Sequence, residues 1–266
     1  MMNGAPDVFQ LQETLYVSKN PTRRWLHCSR RDWIIDKLRD LSREHHGKAL
    51  EAGFGSGVHL PTLSEVFGEV VAIDIDESLV QHARSMIKGS YPNVSVVQGD
   101  LTCSALPDDT FDLILCSQVL KQVPEPRLAI REMYRMLRPG GILLLTSQQP
   151  LSPVELAGRV ILRPPLINFV RLIYKEAVRQ PSHRVPMRAK VLVSELHEAG
   201  FTIRDRFSSG AYIPLVAELF GKAALRLEQW MEPRMRGGPL EELLWEQYYI
   251  AEKAAPLPDR KGGSSR

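Results

Sequence analysis

Three glycines within five residues, Gly53, Gly55 and Gly57, form the first group able to do chemistry. They lie in Lys48-Ala-Leu-Glu-Ala-Gly-Phe-Gly-Ser-Gly57, where an apolar run gives way to a turn and then to a helix-period segment. Glycine tolerates positive φ and lets a ligand approach the backbone closely. A helix N-terminus after such a turn presents free N–H groups to a carboxylate or phosphate. The spacing is G-x-G-x-G, not the G-x-G-x-x-G of dinucleotide-binding turns. Three carboxylates accompany it. Glu51 stands two residues before Gly53, Asp74 ends the next apolar run 21 residues after Gly53, and Asp100 follows the third run in Gly99-Asp100-Leu101. A carboxylate in the position of Asp74 can clamp the two hydroxyls of a ribose, and Asp100 can accept from an adenine amino group. Together the three suit a ligand with positive charge and many donors, and they would repel a pyrophosphate. Each alone can also be read as an acid favoured near a helix N-terminus, and the glycine turn alone, less readily, as a packing turn.

The elements that must position these residues follow from periodicity. Short β-like runs occur at 49–52, 70–73, 94–98, 111–116 and 142–146. Between them lie segments of helical spacing: Leu60, Leu63 and Phe67; Val80, Ala83 and Ile87, with Ser78 as cap; and Ala129, Met133 and Met136, stopped by Pro139-Gly140-Gly141. A helix over 29–43 precedes them, ended by His45-His46-Gly47. Such alternation predicts an α/β fold with a parallel sheet covered on both faces. The pattern breaks over 148–190, which holds six prolines among apolar helical stretches. It resumes with a helix at 191–199, a strand at 201–207, a helical excursion at 211–230 and a last strand at 245–253.

At this point the sequence resembles the class I S-adenosylmethionine-dependent methyltransferases, in their ubiquinone/menaquinone-biosynthesis-type (methyltransferase type 11) branch. The pieces that match are Leu50-Glu-Ala-Gly-Phe-Gly-Ser-Gly57, Val70-Val-Ala-Ile-Asp-Ile-Asp76, Val97-Gln-Gly-Asp-Leu101, Leu106-Pro-Asp-Asp-Thr-Phe-Asp-Leu-Ile114 and Met136-Leu-Arg-Pro-Gly-Gly141. They cover 48–147 closely and 191–253 more loosely. The resemblance implies a Rossmann-like, seven-stranded, mostly parallel sheet with helices on both faces, a reversed last hairpin and a helical lid insertion. It implies S-adenosyl-L-methionine as cofactor. Glu51 and the backbone of Gly53, Gly55 and Gly57 would hold the methionine amino group, and Asp74 with Ile75 the ribose. Asp100 and Leu101 would flank the adenine, with Cys116, Ser117 and Gln118 near the methionine tail. It divides the chain into an N-terminal helical lid segment (1–47), a methyltransferase domain (48–253) with lid insertions at about 148–190 and 208–240, and a disordered tail (254–266).

The expected reaction is direct in-line displacement onto a small, largely apolar or amphiphilic metabolite. That chemistry asks mainly for alignment and exclusion of water, and for a base only when the nucleophile must lose a proton. Many relatives carry Leu-Glu-His-Val after the fourth strand; this chain has Leu120-Lys121-Gln122-Val123, so that histidine is not available. His183 in the insertion is the catalytic candidate, with Tyr16, His27 and His59 beside it; for each a surface or structural role is the better reading. No acidic pair follows the fourth strand, so no metal is expected. Two alternatives stay open: an NAD(P)-dependent oxidoreductase, against which the glycine spacing speaks, and a cofactor-binding module that does not methylate.

Composition limits the rest. The 266 residues carry a net charge of +3, with 44% apolar and 24% charged residues, which excludes collagen-like and disordered classes. The charge is uneven: 49–150 is net −5 and 151–190 net +6. The basic stretch suggests an anionic or amphiphilic acceptor, or peripheral membrane contact through 151–190. No motif or aromatic–basic interleaving points to nucleic acid. Three scattered cysteines and no visible signal segment lead to a cytoplasmic expectation; the oligomeric state is not legible.

Overall fold

The computed structural model describes residues 16–161 and 186–255. Its elements, in chain order, are α1 (Pro21–Leu41), β1 (Lys48–Ala52), α2 (Leu60–Val66), β2 (Glu69–Asp74), α3 (Glu77–Ile87), β3 (Val94–Gln98), β4 (Phe111–Ser117), α4 (Pro126–Met136), β5 (Leu137–Gln148), α5 (Pro153–Ile161), α6 (Ala189–Glu198), β6 (Phe201–Ser209), α7 (Pro214–Phe220), α8 (Lys222–Met235) and β7 (Glu246–Lys253). The strands form one seven-stranded sheet in the order β3-β2-β1-β4-β5-β7-β6. The first five are parallel, and β7 runs antiparallel to both β5 and β6. The order reverses beside β1, so the C-terminal ends of β1 and β4 open a crevice, the place where such sheets bind ligands.

The residue pattern explains each position. All of β4, Phe111–Ser117, is apolar or buried up to its last residue, as a central strand with both faces covered must be. Alternate residues feed two cores. Leu113 and Leu115 meet Ile34 and Leu38 of α1, Leu60 and Leu63 of α2, and Val80 and Ala83 of α3. Ile114 and Cys116 meet Ala129, Ile130 and Met133 of α4, and Leu192 and Leu196 of α6. The edge strands β3 and β6 carry exposed residues among the buried ones instead.

Three local expectations are corrected. Helix α1 begins at Pro21, eight residues before the expected start. Asn20 caps it by accepting from Thr22 N (3.0 Å) and Arg23 N (3.1 Å). Helix α3 is capped by Asp76, not Ser78; Asp76 Oδ1 accepts from Ser78 N at 2.8 Å. Pro139-Gly140-Gly141 does not end a helix in a turn but lies inside β5, where the pairing with β4 shifts register between Phe111 and Leu113. A Cβ on Gly141 would lie 2.9 Å from Arg138 O and 3.0 Å from Phe111 O, so the shift requires glycine there.

Candidate cofactor and acceptor site

Strand β1 delivers Glu51 to the crevice, and the chain then turns through Gly53 (φ 70°), Gly55 (φ 55°) and Gly57 (φ 70°) into α2. Gly53 N donates to Ile73 O at 2.7 Å, which pins the turn to β2. A Cβ on Gly53 would come within 2.5 Å of Val119 Cγ2, so two constraints demand glycine. Glu51 is only 3% exposed, and its Oε2 has no hydrogen-bond partner. Burial first, and the nearby Asp74 charge second, push its carboxyl well above the usual range. A buried carboxylate oxygen with nothing to accept from is costly, unless a donor arrives with a ligand.

At the end of β2, Asp74 accepts from Gly55 N and from Asp76 N, each at 3.1 Å. It therefore ties the glycine turn to the neighbouring strand. Burial raises its pKa, while these N–H groups pull it back down. Ile75 beside it is 66% exposed, an apolar side chain held out at a strand end. Asp100 holds its own turn, with Oδ1 accepting from Thr102 N and Thr102 Oγ1 at 2.8 Å each. Leu101 is buried in the core.

Cys116 is fully buried in that core too, and burial pushes its thiol up to about 12, which leaves it unreactive at neutral pH. Ser117 Oγ lies 3.0 Å from Thr146 Oγ1. Gln118 has φ 64°, uncommon outside glycine. Its N donates to Thr146 O at 2.9 Å, and its Oε1 accepts from the buried Lys121 Nζ at 3.0 Å. The lysine that replaces the expected glutamate is thus turned back onto the end of β4.

The structure also assembles a cluster that spacing could not reveal. Arg30 of α1 forms an ion pair with Glu246 at the start of β7, both buried. Tyr248 Oη donates to Glu246 Oε2 at 2.6 Å. Arg30 Nη2 lies 2.9 Å from His27 Nδ1. Arginine can only donate, so that nitrogen carries no proton. Burial and the Arg30 charge hold His27 well below the usual histidine range, hence neutral. Its ring stands edge-on to Trp245 at 5.6 Å and to Tyr16 at 6.3 Å. His59, buried after the glycine turn, is lowered to about 3 by burial and the charges of Arg30 and Arg31. Of Tyr16, His27 and His59, the first two therefore meet, and none of the three is poised as a base. His183 and most of 151–190 lie outside the described residues. Among the described residues, no group of three His, Cys, Asp or Glu could hold a metal, and no helix is long and apolar enough to cross a membrane. A separate cavity of about 340 Å³ lies between α1, α8 and the β6–β7 hairpin, walled by Trp25, Trp33, Phe207 and Tyr248; none of the strand-end carboxylates lines it.

A 3-2-1-4-5-7-6 sheet with one reversed strand, a glycine turn after β1 and acids at the next strand ends define the class I methyltransferase architecture. Comparison with known proteins agrees. Residues 50–145 match the family model of the methyltransferase domain. A probable S-adenosylmethionine-dependent methyltransferase of Mycolicibacterium smegmatis is 28% identical over 213 residues, 79% of this chain and 71% of that one. A demethylmenaquinone methyltransferase of Staphylococcus aureus is 32% identical over 126 residues, 46% of this chain; the chain spans about half (52%) of that relative. The solved structure of a putative sarcosine dimethylglycine methyltransferase from Galdieria sulphuraria shares the fold with a TM-score of 0.62 at 15% identity, covering 93% of this chain and 98% of that one. Residues 50–145 thus match a methyltransferase domain, in a chain with the class I fold and similar to S-adenosylmethionine-dependent methyltransferases. S-adenosylmethionine is the cofactor of that class, and the residues present fit it: the orphaned, buried carboxylate oxygen of Glu51 beside the glycine turn suits an ammonium donor.

Proposed function

We propose that the chain transfers a methyl group to a small, largely apolar or amphiphilic metabolite by direct in-line displacement. The observation that carries the cofactor half of this reading is Glu51, buried and lacking a donor at the head of the glycine turn. Glu51 would take the methionine ammonium, with backbone from Gly53, Gly55 and Gly57. Asp74 and Ile75 would hold the ribose, Asp100 and Leu101 the adenine, and residues 116–118 the methionine tail. Bound there, the cofactor supplies an electrophilic methyl group on a cationic sulfur. The chain's part is to fix the acceptor on the far side of that methyl and to keep water out, an orientation effect worth several kcal/mol.

The acceptor side is read from the groups around β5 and β7. Gln122 cannot take a proton near neutrality, Lys121 is engaged by Gln118, and His27 is held neutral by Arg30. Such surroundings favour an acceptor whose nucleophile needs no strong base from this chain. The Staphylococcus aureus relative acts, by its name, on demethylmenaquinone, which supports an apolar acceptor. The test supplies methyl-labelled S-adenosylmethionine with extracted apolar and polar metabolite fractions. Label should enter the apolar fraction with wild-type chain and not with Glu51→Gln. Label in neither fraction, despite tight cofactor binding, would favour a module that does not methylate.

A further inference from the structure

The helical pair α7–α8 is built inside out. The residues α8 buries include Glu228 and Glu232, while Leu227 and Trp230 are 44% and 58% exposed. The carboxylates face inward because the chain between β6 and α7 needs acceptors. Glu228 Oε1 takes Ile213 N at 2.9 Å and Oε2 takes Thr22 Oγ1 at 2.6 Å. Glu232 Oε2 takes Gly210 N at 2.8 Å. Glu218 of α7 accepts from Asn20 Nδ2 at 3.0 Å and pairs with Arg23. Every carboxylate of the two helices is thus turned toward the body of the protein.

What remains outward is apolar and basic. Helical spacing puts Lys222, Arg226, Leu227, Trp230 and Arg234 on one face of α8. The Arg234 guanidinium stacks 4.0 Å from the Trp230 ring centre. Helix α7 adds Leu215, Leu219 and Phe220, 54–63% exposed. Several large apolar side chains exposed on one helical pair mark a contact site. We propose that the outer face of α7–α8 docks on an anionic lipid surface. Trp, Phe and Leu among Lys and Arg is the composition of helices that lie in the membrane interface. The cations complement anionic headgroups, and no outward carboxylate opposes them. A second copy of the chain fits less well, because a two-fold contact would set Lys222, Arg226 and Arg234 against themselves.

The test is co-sedimentation of the full chain with vesicles of phosphatidylglycerol and phosphatidylcholine, or of phosphatidylcholine alone, at low and high salt. Binding should require phosphatidylglycerol, fall with salt, and drop at least tenfold in Phe220→Ser/Trp230→Ser and in Lys222→Glu/Arg226→Glu. Both variants alter exposed side chains, and an unchanged thermal midpoint checks their folding. Absence of binding by wild type, or binding unchanged in the two variants, overturns the proposal. So does a wild-type dimer in sedimentation velocity that Phe220→Ser/Trp230→Ser dissociates, since the face then belongs to a second copy.

Discussion

At the scale of single residues, Glu51 is the side chain whose state should change most on ligation. Its carboxyl, buried and beside Asp74, holds its proton to higher pH in the folded chain than in an unfolded one. The unfolded form ionises near 4.3. Stability of the ligand-free protein should therefore fall as pH rises from about 4.3 toward the raised folded value, because only the unfolded state gains by losing the proton in that window. Glu51→Gln removes the ionisation, so its unfolding free energy should stay flatter over the same range and exceed wild type above it, by about 1–3 kcal/mol. The same substitution should weaken S-adenosylmethionine by at least tenfold, through loss of a charge-assisted contact worth ~1.5–3 kcal/mol. Because a cation stabilises the ionised carboxylate, wild-type binding should release a proton. Calorimetry in two buffers of different ionisation enthalpy measures that release; an identical proton count in the variant would remove Glu51 from the ammonium contact.

At the scale of elements, α1 is fastened to β7 by one buried ion pair, Arg30–Glu246, with Tyr248 completing the carboxylate's bonds. Removing one partner strands a buried charge, and Glu246→Leu or Arg30→Met alone should cost about 3–5 kcal/mol in denaturant unfolding. The double substitution should recover part of the loss, since no buried charge is left unpaired, although Tyr248 Oη and His27 Nδ1 lose their partners. A double-variant loss equal to the sum of the two single losses would mean the pair is not coupled. This junction also shows what was legible in the sequence. Glu51, Asp74 and Asp100 each close a β-like run, so their shared location follows from the alternation of strands and helices. Arg30 and Glu246 are 216 positions apart and belong to no motif, and only the β5–β7–β6 arrangement brings them together. The front of α1 was hidden for a related reason: its buried face carries Thr22, His27 and Arg30 as well as Leu26, Ile34 and Leu38, so it has no apolar stripe. Pro139-Gly140-Gly141 has the composition of a turn, yet the register shift against β4 uses it inside a strand.

At the scale of the whole molecule, the charge asymmetry becomes spatial. The net −5 of 49–150 includes three acids at the ends of β1 and β2 and after β3, all at the C-terminal edge of the parallel strands. The outward surface of α7–α8 presents cations with its acids turned inside. The crevice is formed by neighbouring strands of the sheet's centre, and its residues continue directly into both cores. A cofactor held there should consequently resist global unfolding, not only fix a loop. At a concentration a hundredfold above its dissociation constant, S-adenosylmethionine should stabilise the fold by about 2.7 kcal/mol, a rise in thermal midpoint of roughly 5–10 °C. The variants separate the three surfaces. Glu51→Gln should begin from a higher ligand-free midpoint near neutral pH and show a much smaller rise at the same cofactor concentration. Phe220→Ser/Trp230→Ser should keep the full rise, because α7–α8 shares no residue with the crevice. Glu246→Leu should begin lower yet still rise, since α1 and β7 are fastened apart from the strand-end acids. A midpoint that does not move with cofactor in wild type would take the strand-end carboxylates out of the cofactor site, leaving the fold assignment intact.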